Sequence, residues 1–490
     1  MRTRTKKRGA AALPAAVIVA VLPLVVAAPS AGAAAHDRSG AVKKAPSASH
    51  QAMDPRLIAI QKKQQVLDKI AGDITEGLSE HDRAKVPGFT EIELDLNHNH
   101  LRLHWKGTPP QRVRRILAHL PNGVTAEVRP ARYSKADLHK ARNKLLRAGR
   151  PIALRPSSTT DPIRITSLAG ANDGSGLEIT YDEDRGAGYR DRKDPLARDE
   201  RNTRSSKVKA LTDRLTGINT TATYKPLSDD AISSGGSAQP HLTNGAAASG
   251  AMRKHDAPPW YGGAALRNPS GGICSSGFAV TDSHGNNMLT TAKHCDGKDG
   301  YWHTWEGGDD VGVSDHLQSN ALVDTVGIAL HDPADGYLYD GEANRTDGYA
   351  KPVTGYGHNN VGDYVCTDGA NGGVHCNVVL SKVDVGVTGA DGGYRPVTDL
   401  GYATDWPSHG VAAVNGDSGG PVFVGANNWT TDEARGTITA LDKTVTCPSE
   451  LNADTVLDGH QRKPWCLAGV YYVPIYETLH DLKWTLNTAG

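Results

Sequence analysis

The sequence predicts two unlike halves: an all-β C-terminal half held by disulfides, preceded by a basic α+β half without cysteine. Three observations support this division. From Ser275 onward, short apolar runs such as GFAV, MLTTA, VGIAL and GVYYVPI alternate with turns rich in Gly and Asp, the spacing of a β-barrel or sandwich. All six cysteines, Cys274, Cys295, Cys366, Cys376, Cys447 and Cys466, fall in that half. Ahead of it, apolar residues recur with helical and strand periods in turn. At 490 residues the chain is long enough for two or three folding units.

The chain opens on Arg2, Arg4, Lys6, Lys7 and Arg8, followed by an apolar run from Ala10 to Ala28 that Pro14 and Pro23 interrupt. The small residues Ala31–Ala35 then fit a cleavage rule, so residues 1–35 read as a signal peptide and the destination as extracellular. No later stretch is long and apolar enough to span a bilayer, so no membrane partner is expected once the signal is removed. An even number of cysteines in an exported chain reads as disulfides, for which fifteen pairings exist; joining neighbours gives 274–295, 366–376 and 447–466. No C-x-x-C spacing points to a metal site, and the H-x-x-x-H pair His100 and His104 lies on an expected strand, where residues four apart are too distant to share one ion.

In the basic half, residues 36–230, Leu57–Ala71 reads as a helix and Glu91–Trp105 as two strands meeting at Asn97-His98-Asn99. Pro110 opens a second helix, with Val113, Ile116, Leu117 and Leu120 on one face. A strand at Val124–Val128 and a helix beginning near Ser134, with Leu138, Ala141 and Leu145 inward, follow. The order then returns: alternating Leu177, Ile179 and Tyr181, a helical face of Val208, Leu211 and Leu215, and a strand with Ala222 and Tyr224. This predicts a diverged strand–helix–strand repeat. Residues 231–255, rich in Gly, Ser and Ala, read as a flexible linker and the place of an activation cleavage.

The formal net charge of zero hides a split. Residues 36–254 hold 37 Lys and Arg against 25 Asp and Glu, whereas residues 255–490 hold 12 against 29. Halves of opposite charge attract, which suits docking of one on the other. The basic half shows no catalytic constellation of its own, and a nucleic-acid partner is not expected.

Three motifs in the C-terminal half carry chemistry, in the order His, Asp, Ser. In Leu289-Thr290-Thr291-Ala292-Lys293-His294-Cys295 an apolar strand ends in an imidazole beside a cysteine, and a disulfide there anchors the backbone of a general base. In Asp324-Thr325-Val326-Gly327-Ile328-Ala329-Leu330 an acid precedes an apolar strand, 30 residues after His294 and 94 before Ser418. In Asn415-Gly416-Asp417-Ser418-Gly419-Gly420-Pro421-Val422, glycines on both sides of a serine permit a tight backbone. That backbone can aim the Gly416 and Ser418 N–H groups at one point, as an oxyanion hole.

Together TAKHC, DTVGIAL and GDSGGPV resemble the trypsin/chymotrypsin serine peptidases. The short His-to-Asp interval, VCTDGANGGVHCNVV and the final GVYYVPIYETL are similar to the bacterial streptogrisin and α-lytic branch. The resemblance covers about residues 260–490. It implies a domain over 256–490 of two six-stranded antiparallel β-barrels with a C-terminal helix, here expected over Ile475–Leu486. It implies a secreted endopeptidase acting on proteins or peptides without a cofactor, expected as a monomer, with Ser418 as nucleophile, His294 as base and Asp324 orienting the imidazole. It also implies the Cys274–Cys295 bridge and, more loosely, that the basic half is a pro-region, partner of its own protease before cleavage. The competing expectation is a catalytically inactive protease scaffold that serves binding or adhesion.

The sequence departs from the family in places. Ala412, six residues before the nucleophile, stands where trypsin-like enzymes carry an acid, so an uncharged P1 residue is expected, with Asp442 as a possible pocket wall. Cys447–Cys466 encloses an unusual insertion, Pro448–Trp465, and Asn427–Arg435 reads as a further long loop. Cleavage anywhere from Ala246 to Trp260 is compatible with the sequence, and Asp417 has either a freed N-terminus or an internal cation as its expected partner.

Overall fold

The computed structural model describes residues 54–148, 153–154, 163–183, 198–225, 252–296, 300–315, 318–320, 322–389, 393–404, 410–451, 455–457, 460–462 and 465–489. The expected signal peptide, and the linker up to 251, lie outside the described residues.

The basic half is built twice on one plan. Its first helix, Pro55–Thr75, starts where the Asp54 carboxylate accepts the Arg56 N–H and stops at Glu76, whose φ of 60° is left-handed. Strands Phe89–Asp95 and His100–Trp105 then form an antiparallel hairpin through the expected Asn97–Asn99 turn. Helix Gln111–Ala118 carries the chain over to Thr125–Pro130, which lies parallel to the second strand with Thr125 opposite His100. The plan recurs in the antiparallel pair Ile163–Gly170 and Leu177–Glu183, the helix Arg198–Thr216, and the strand Thr220–Tyr224 parallel to the second strand, with Thr220 opposite Leu177. The repeat is therefore hairpin–helix–strand, one strand longer than the expected unit. Each copy encloses its own core, around Leu67, Ile92 and Trp105 in the first and around Leu145, Ile165 and Ile179 in the second.

The C-terminal half contains two barrel sheets. The first runs in the order Ile273–Ser275, Ala265–Arg267, Gly300–Thr304, Asp310–Ser314, Thr325–Leu330, Asn287–Ala292, Ala279–Thr281 and Thr485–Leu486, every neighbour antiparallel. The second is a closed ring of six: Cys466–Pro474, Tyr394–Ala403, His375–Thr388, Tyr364–Thr367, Pro421–Ala426 and Thr431–Val445, the last pairing back to the first. All six of its pairings are antiparallel, and closure leaves the ring no free edge.

Three expectations need correction. The C-terminal helix covers only Ile475–Leu482, because Lys483 turns left-handed and Thr485–Leu486 extends to pair with Val280 and Thr281 of the first barrel. The long loop expected at Asn427–Arg435 is a tight turn, since Asn427, Asn428 and Trp429 all take positive φ and the strand resumes at Thr431. Trp429 folds back over Gly425, where a Cβ would lie 2.3 Å from the indole. The three cysteine pairs are neighbours: Cys274–Cys295, Cys366–Cys376 and Cys447–Cys466. A short hairpin, Thr455–Leu457 with His460–Arg462, occupies part of the insertion that the last bridge encloses. Met252–His255, expected to close the flexible linker, are instead built into the C-terminal half, with Arg253 buried.

The two halves share a sheet and a buried charge. Gly386 and Val387, on a long strand of the closed barrel, pair antiparallel with Leu168 and Ser167 of the basic half. Two residues earlier, Asp384 is enclosed by Arg142 at 3.1 Å, His81 at 3.1 Å, Lys135 at 3.8 Å and the His139 ring, all from the basic half. Burial alone would raise the Asp384 carboxyl, but Arg142 and His139 outweigh it and hold it well below the usual carboxylate range. Removing one partner of a buried pair costs about 3–5 kcal/mol. Asp384→Asn in the full chain is therefore expected to lower unfolding free energy by about that amount at pH 7, read from urea denaturation. Because the folded carboxyl titrates below its ordinary 3.8, this contribution is complete above that pH and fades as pH falls towards the depressed value. An unchanged midpoint contradicts the assignment.

Candidate active site

The histidine strand, Asn287–Ala292, ends at Ala292, and a single helical turn, Lys293–Cys295, presents the imidazole. Its neighbour Thr325–Leu330 lies antiparallel with Thr325 opposite Ala292, which brings Asp324 to the same end of the sheet. The His294 N–H donates to Asp324 Oδ1 at 3.0 Å, and His294 Nδ1 lies 2.6 Å from Oδ2. The side chain of His294 is only 1 % exposed.

Two further side chains reach Asp324 Oδ2. The Thr439 hydroxyl donates to it from the strand Thr431–Val445, and Arg395 Nε donates at 2.7 Å. Burial would raise the Asp324 carboxyl, yet the imidazole, the Arg395 guanidinium and the Thr439 hydroxyl together keep it below its ordinary value. Neither residue is prominent in the motifs. The signal for Arg395 is its register: it shares the inward face of its strand with Val397, where a charge needs a partner. Thr439 likewise lies inside the buried run of its strand.

The serine loop crosses this end of the first barrel at short range. Ser275 N–H donates to the Ser418 carbonyl at 2.8 Å, and Cys295 Sγ lies 4.0 Å from that carbonyl oxygen. Gly419, at φ 86°, shows how close the approach is: a Cβ there would lie 2.3 Å from Thr291 Oγ1 and 2.6 Å from the Ala292 nitrogen. Gly416 takes φ 96°. Its N–H and that of Ser418 have no acceptor among the described residues, whereas the intervening Asp417 N–H bonds to Val414 O at 3.0 Å. Ser418 Oγ and His294 Nε2 are both buried without a hydrogen-bond partner among the described residues. Hydrogen bonds thus join His294 to Asp324, while Ser418 comes to the same turn through its backbone and no hydrogen bond links its hydroxyl to the imidazole.

Asp417 has a partner of a kind the sequence does not reveal. Its Oδ1 accepts Asn371 and Gly372 N–H at 2.9 and 3.0 Å, and its Oδ2 accepts Val414 N–H at 2.8 Å. Burial pushes this carboxyl up against those three donors. Ala412 is fully buried in the core of the closed barrel and donates its N–H to Leu467 O at 2.7 Å. Asp442 sits opposite Gly469 on the adjoining strand, where it accepts the Tyr402 hydroxyl at 2.6 Å and pairs with Lys225 of the basic half. Both candidate pocket residues therefore border the strand Cys466–Pro474.

No family model matches the chain. In sequence it is 30 % identical over 181 residues to serine protease 2 of Streptomyces fradiae, an alignment covering 34 % of this chain and 88 % of that protein. Among solved structures it is similar to a glutamic acid-specific serine protease, at 22 % identity and a TM-score of 0.34 over 46 % of this chain and 99 % of that one. It is also similar to the Nocardiopsis protease, at 20 % identity and a TM-score of 0.34 over 46 % and 98 %. The chain belongs to the chymotrypsin-like serine proteases, in their bacterial streptogrisin-like branch, and is a serine-type peptidase.

Proposed function

We propose that this chain is the precursor of a secreted endopeptidase in which Ser418, His294 and Asp324 form the catalytic triad. The observation that carries the reading is the His294–Asp324 bond at 2.6 Å beside a buried serine hydroxyl and two N–H groups without acceptors. In the reaction His294 Nε2 takes the Ser418 proton as Oγ bonds to the scissile carbonyl carbon. The carbonyl oxygen becomes an oxyanion that accepts the Gly416 and Ser418 N–H groups. Collapse of this intermediate breaks the C–N bond, and the imidazolium returns its proton to the leaving amine. Water, deprotonated by the same imidazole, then hydrolyses the acyl-enzyme. Asp324 fixes the ring with Nδ1–H directed at the carboxylate and balances the cation while it exists.

Residues 36–230 serve as the pro-region. Support comes from the shared sheet at Gly386–Val387, the cationic enclosure of Asp384 and the Lys225–Asp442 pair. A His294 ring that solvent barely reaches suits a precursor whose cleft is covered. Cleavage within 226–251, outside the described residues, separates the halves. With Ala412 in place of an acid, the enzyme prefers an uncharged P1 residue.

Ser418→Ala is expected to leave a secreted chain that is correctly folded, no longer labelled by a serine-directed peptidyl phosphonate, and at least about 1,000-fold slower on peptides. Undiminished hydrolysis by the alanine variant rejects the mechanism. Absence of both hydrolysis and label in the parent protein favours the inactive-scaffold reading.

Arg395 acts on the same couple. Its guanidinium neutralises part of the Asp324 charge that balances a protonated imidazole. Arg395→Gln is expected to move the acid limb of the kcat/KM profile to higher pH by about one unit. A limb that stays in place shows that Arg395 does not act on the triad.

A further inference from the structure

We infer that Arg253 is a positioning residue for the oxyanion donors, so that the activation cleavage lies N-terminal to it. The inference rests on the triad reading above and extends it to a segment that the sequence reads as the end of the linker.

Arg253 is 3 % exposed and sits in the helical turn Met252–Lys254. A buried guanidinium persists only when its donors are answered, and here four acceptors converge on it. Nη1 reaches Asp368 Oδ1 at 2.6 Å, Gly369 O at 2.8 Å and Gly263 O at 3.0 Å, and Nη2 reaches Gly341 O at 3.1 Å. The Tyr339 ring lies 5.7 Å from the guanidinium carbon. The fit is close enough that a Cβ at Gly263 would lie 1.7 Å from Asp368 Oδ2.

Asp368 and Gly369 begin the turn that supports the serine loop. In that turn Ala370 N–H donates to Ser275 Oγ at 2.8 Å, and this hydroxyl donates to Gly416 O at 3.0 Å. Asn371 and Gly372 supply the two N–H groups on Asp417 Oδ1. Asn371 Nδ2 donates to Asn415 O at 2.7 Å. That last bond is the decisive one. The Asn415 carbonyl and the Gly416 N–H belong to one peptide plane and point in opposite directions across it. Holding the carbonyl on Asn371 therefore aims the Gly416 N–H the other way, towards the proposed oxyanion. The Ser418 N–H is set likewise, because the Asp417 carbonyl accepts Gly420 N–H at 2.9 Å. Gly416 has no room for a side chain, since a Cβ would lie 2.4 Å from Asn371 Nδ2.

Arg253 is thus the cation behind the Asp417 loop, acting one turn removed from Asp417 itself. Burial pushes the Asp368 carboxyl up to about 7, against the lowering effect of the Arg253 guanidinium beside it. The residues around Arg253 are equally integrated. Met252 N–H bonds to Arg345 O at 3.0 Å, Glu306 N–H to Lys254 O at 2.9 Å, and Asp256 accepts Tyr261 N–H at 3.1 Å and the Tyr339 hydroxyl at 2.7 Å. A cut between Lys254 and Trp260 would remove the cation that this arrangement requires.

The test begins with N-terminal sequencing of the active, mature enzyme, which needs no variant. The first residue is expected at or before Arg253; an active enzyme beginning at or after Lys254 overturns the inference. Arg253→Met and Arg253→Lys, produced as the full chain, are then compared per active site after titration to completion with a peptidyl phosphonate. Loss of one oxyanion donor costs about 100- to 1,000-fold in rate, and partial misalignment less, so Arg253→Met is expected to lose about tenfold or more in kcat with KM within about threefold. Arg253→Lys, which keeps the charge but not the fork, is expected to fall between Met and parent. Affinity for a peptide boronic acid, whose adduct uses the same donors, should weaken in parallel, a change that lost stability alone does not produce. A kcat per titrated site within twofold of the parent in Arg253→Met overturns the positioning role. Failure of the phosphonate to label Ser418 in the parent overturns the triad reading instead.

Discussion

Buried carboxylates, each answered by donors from a distant part of the chain, organise this molecule. Asp324, Asp368, Asp384 and Asp417 are all shielded from solvent in the acidic C-terminal half. An ionised carboxylate out of water is costly unless it is paired or hydrogen-bonded. Asp324 takes donors from His294, Arg395 and Thr439, Asp368 from Arg253, Asp384 from the basic half, and Asp417 from three backbone N–H groups. The first fixes the base, the second and fourth fix the loop carrying the proposed nucleophile, and the third joins the halves. Charge burial in this fold therefore sets geometry more than it adds stability.

The same principle accounts for the asymmetry in charge between the halves. In a C-terminal half with 29 acidic and 12 basic residues, some buried acids take their cations from the other half. The basic half supplies Arg142, Lys135 and two histidines to Asp384, and Lys225 to Asp442. Continuity of the sheet at Gly386 and Val387 adds main-chain hydrogen bonds, which are directional where charge attraction is not.

How far the sequence reveals this depends on whether a feature is local. His294 and Ser418 stand out because strand end, cysteine neighbour and flanking glycines lie within a few residues of each of them. The strand–helix–strand part of the repeat is visible because apolar periodicity is also local, whereas the extra strand Ile163–Gly170 is not among the expected elements. Arg395, Thr439 and Arg253 are not prominent, since each acts on a residue more than 70 positions away and nothing beside it announces the partner. Arg253 was further obscured by a Gly- and Ala-rich neighbourhood that reads as linker. The turn at Asn427–Trp429 was misread for a different reason: three consecutive non-glycine residues with positive φ are uncommon, so a nine-residue segment reads as a loop when four residues suffice to turn it.

In this structure the Ser418 hydroxyl and His294 Nε2 are each buried without a hydrogen-bond partner among the described residues. Catalysis by the proposed triad requires that they meet when substrate binds. A crystal structure of the mature enzyme bearing a peptidyl phosphonate examines this directly. It should show phosphorus bonded to Ser418 Oγ, His294 Nε2 within hydrogen-bond reach of the adduct, and one phosphoryl oxygen accepting both the Gly416 and Ser418 N–H groups. An adduct on another residue, or a His294 ring well out of reach of Ser418 in that state, contradicts the account.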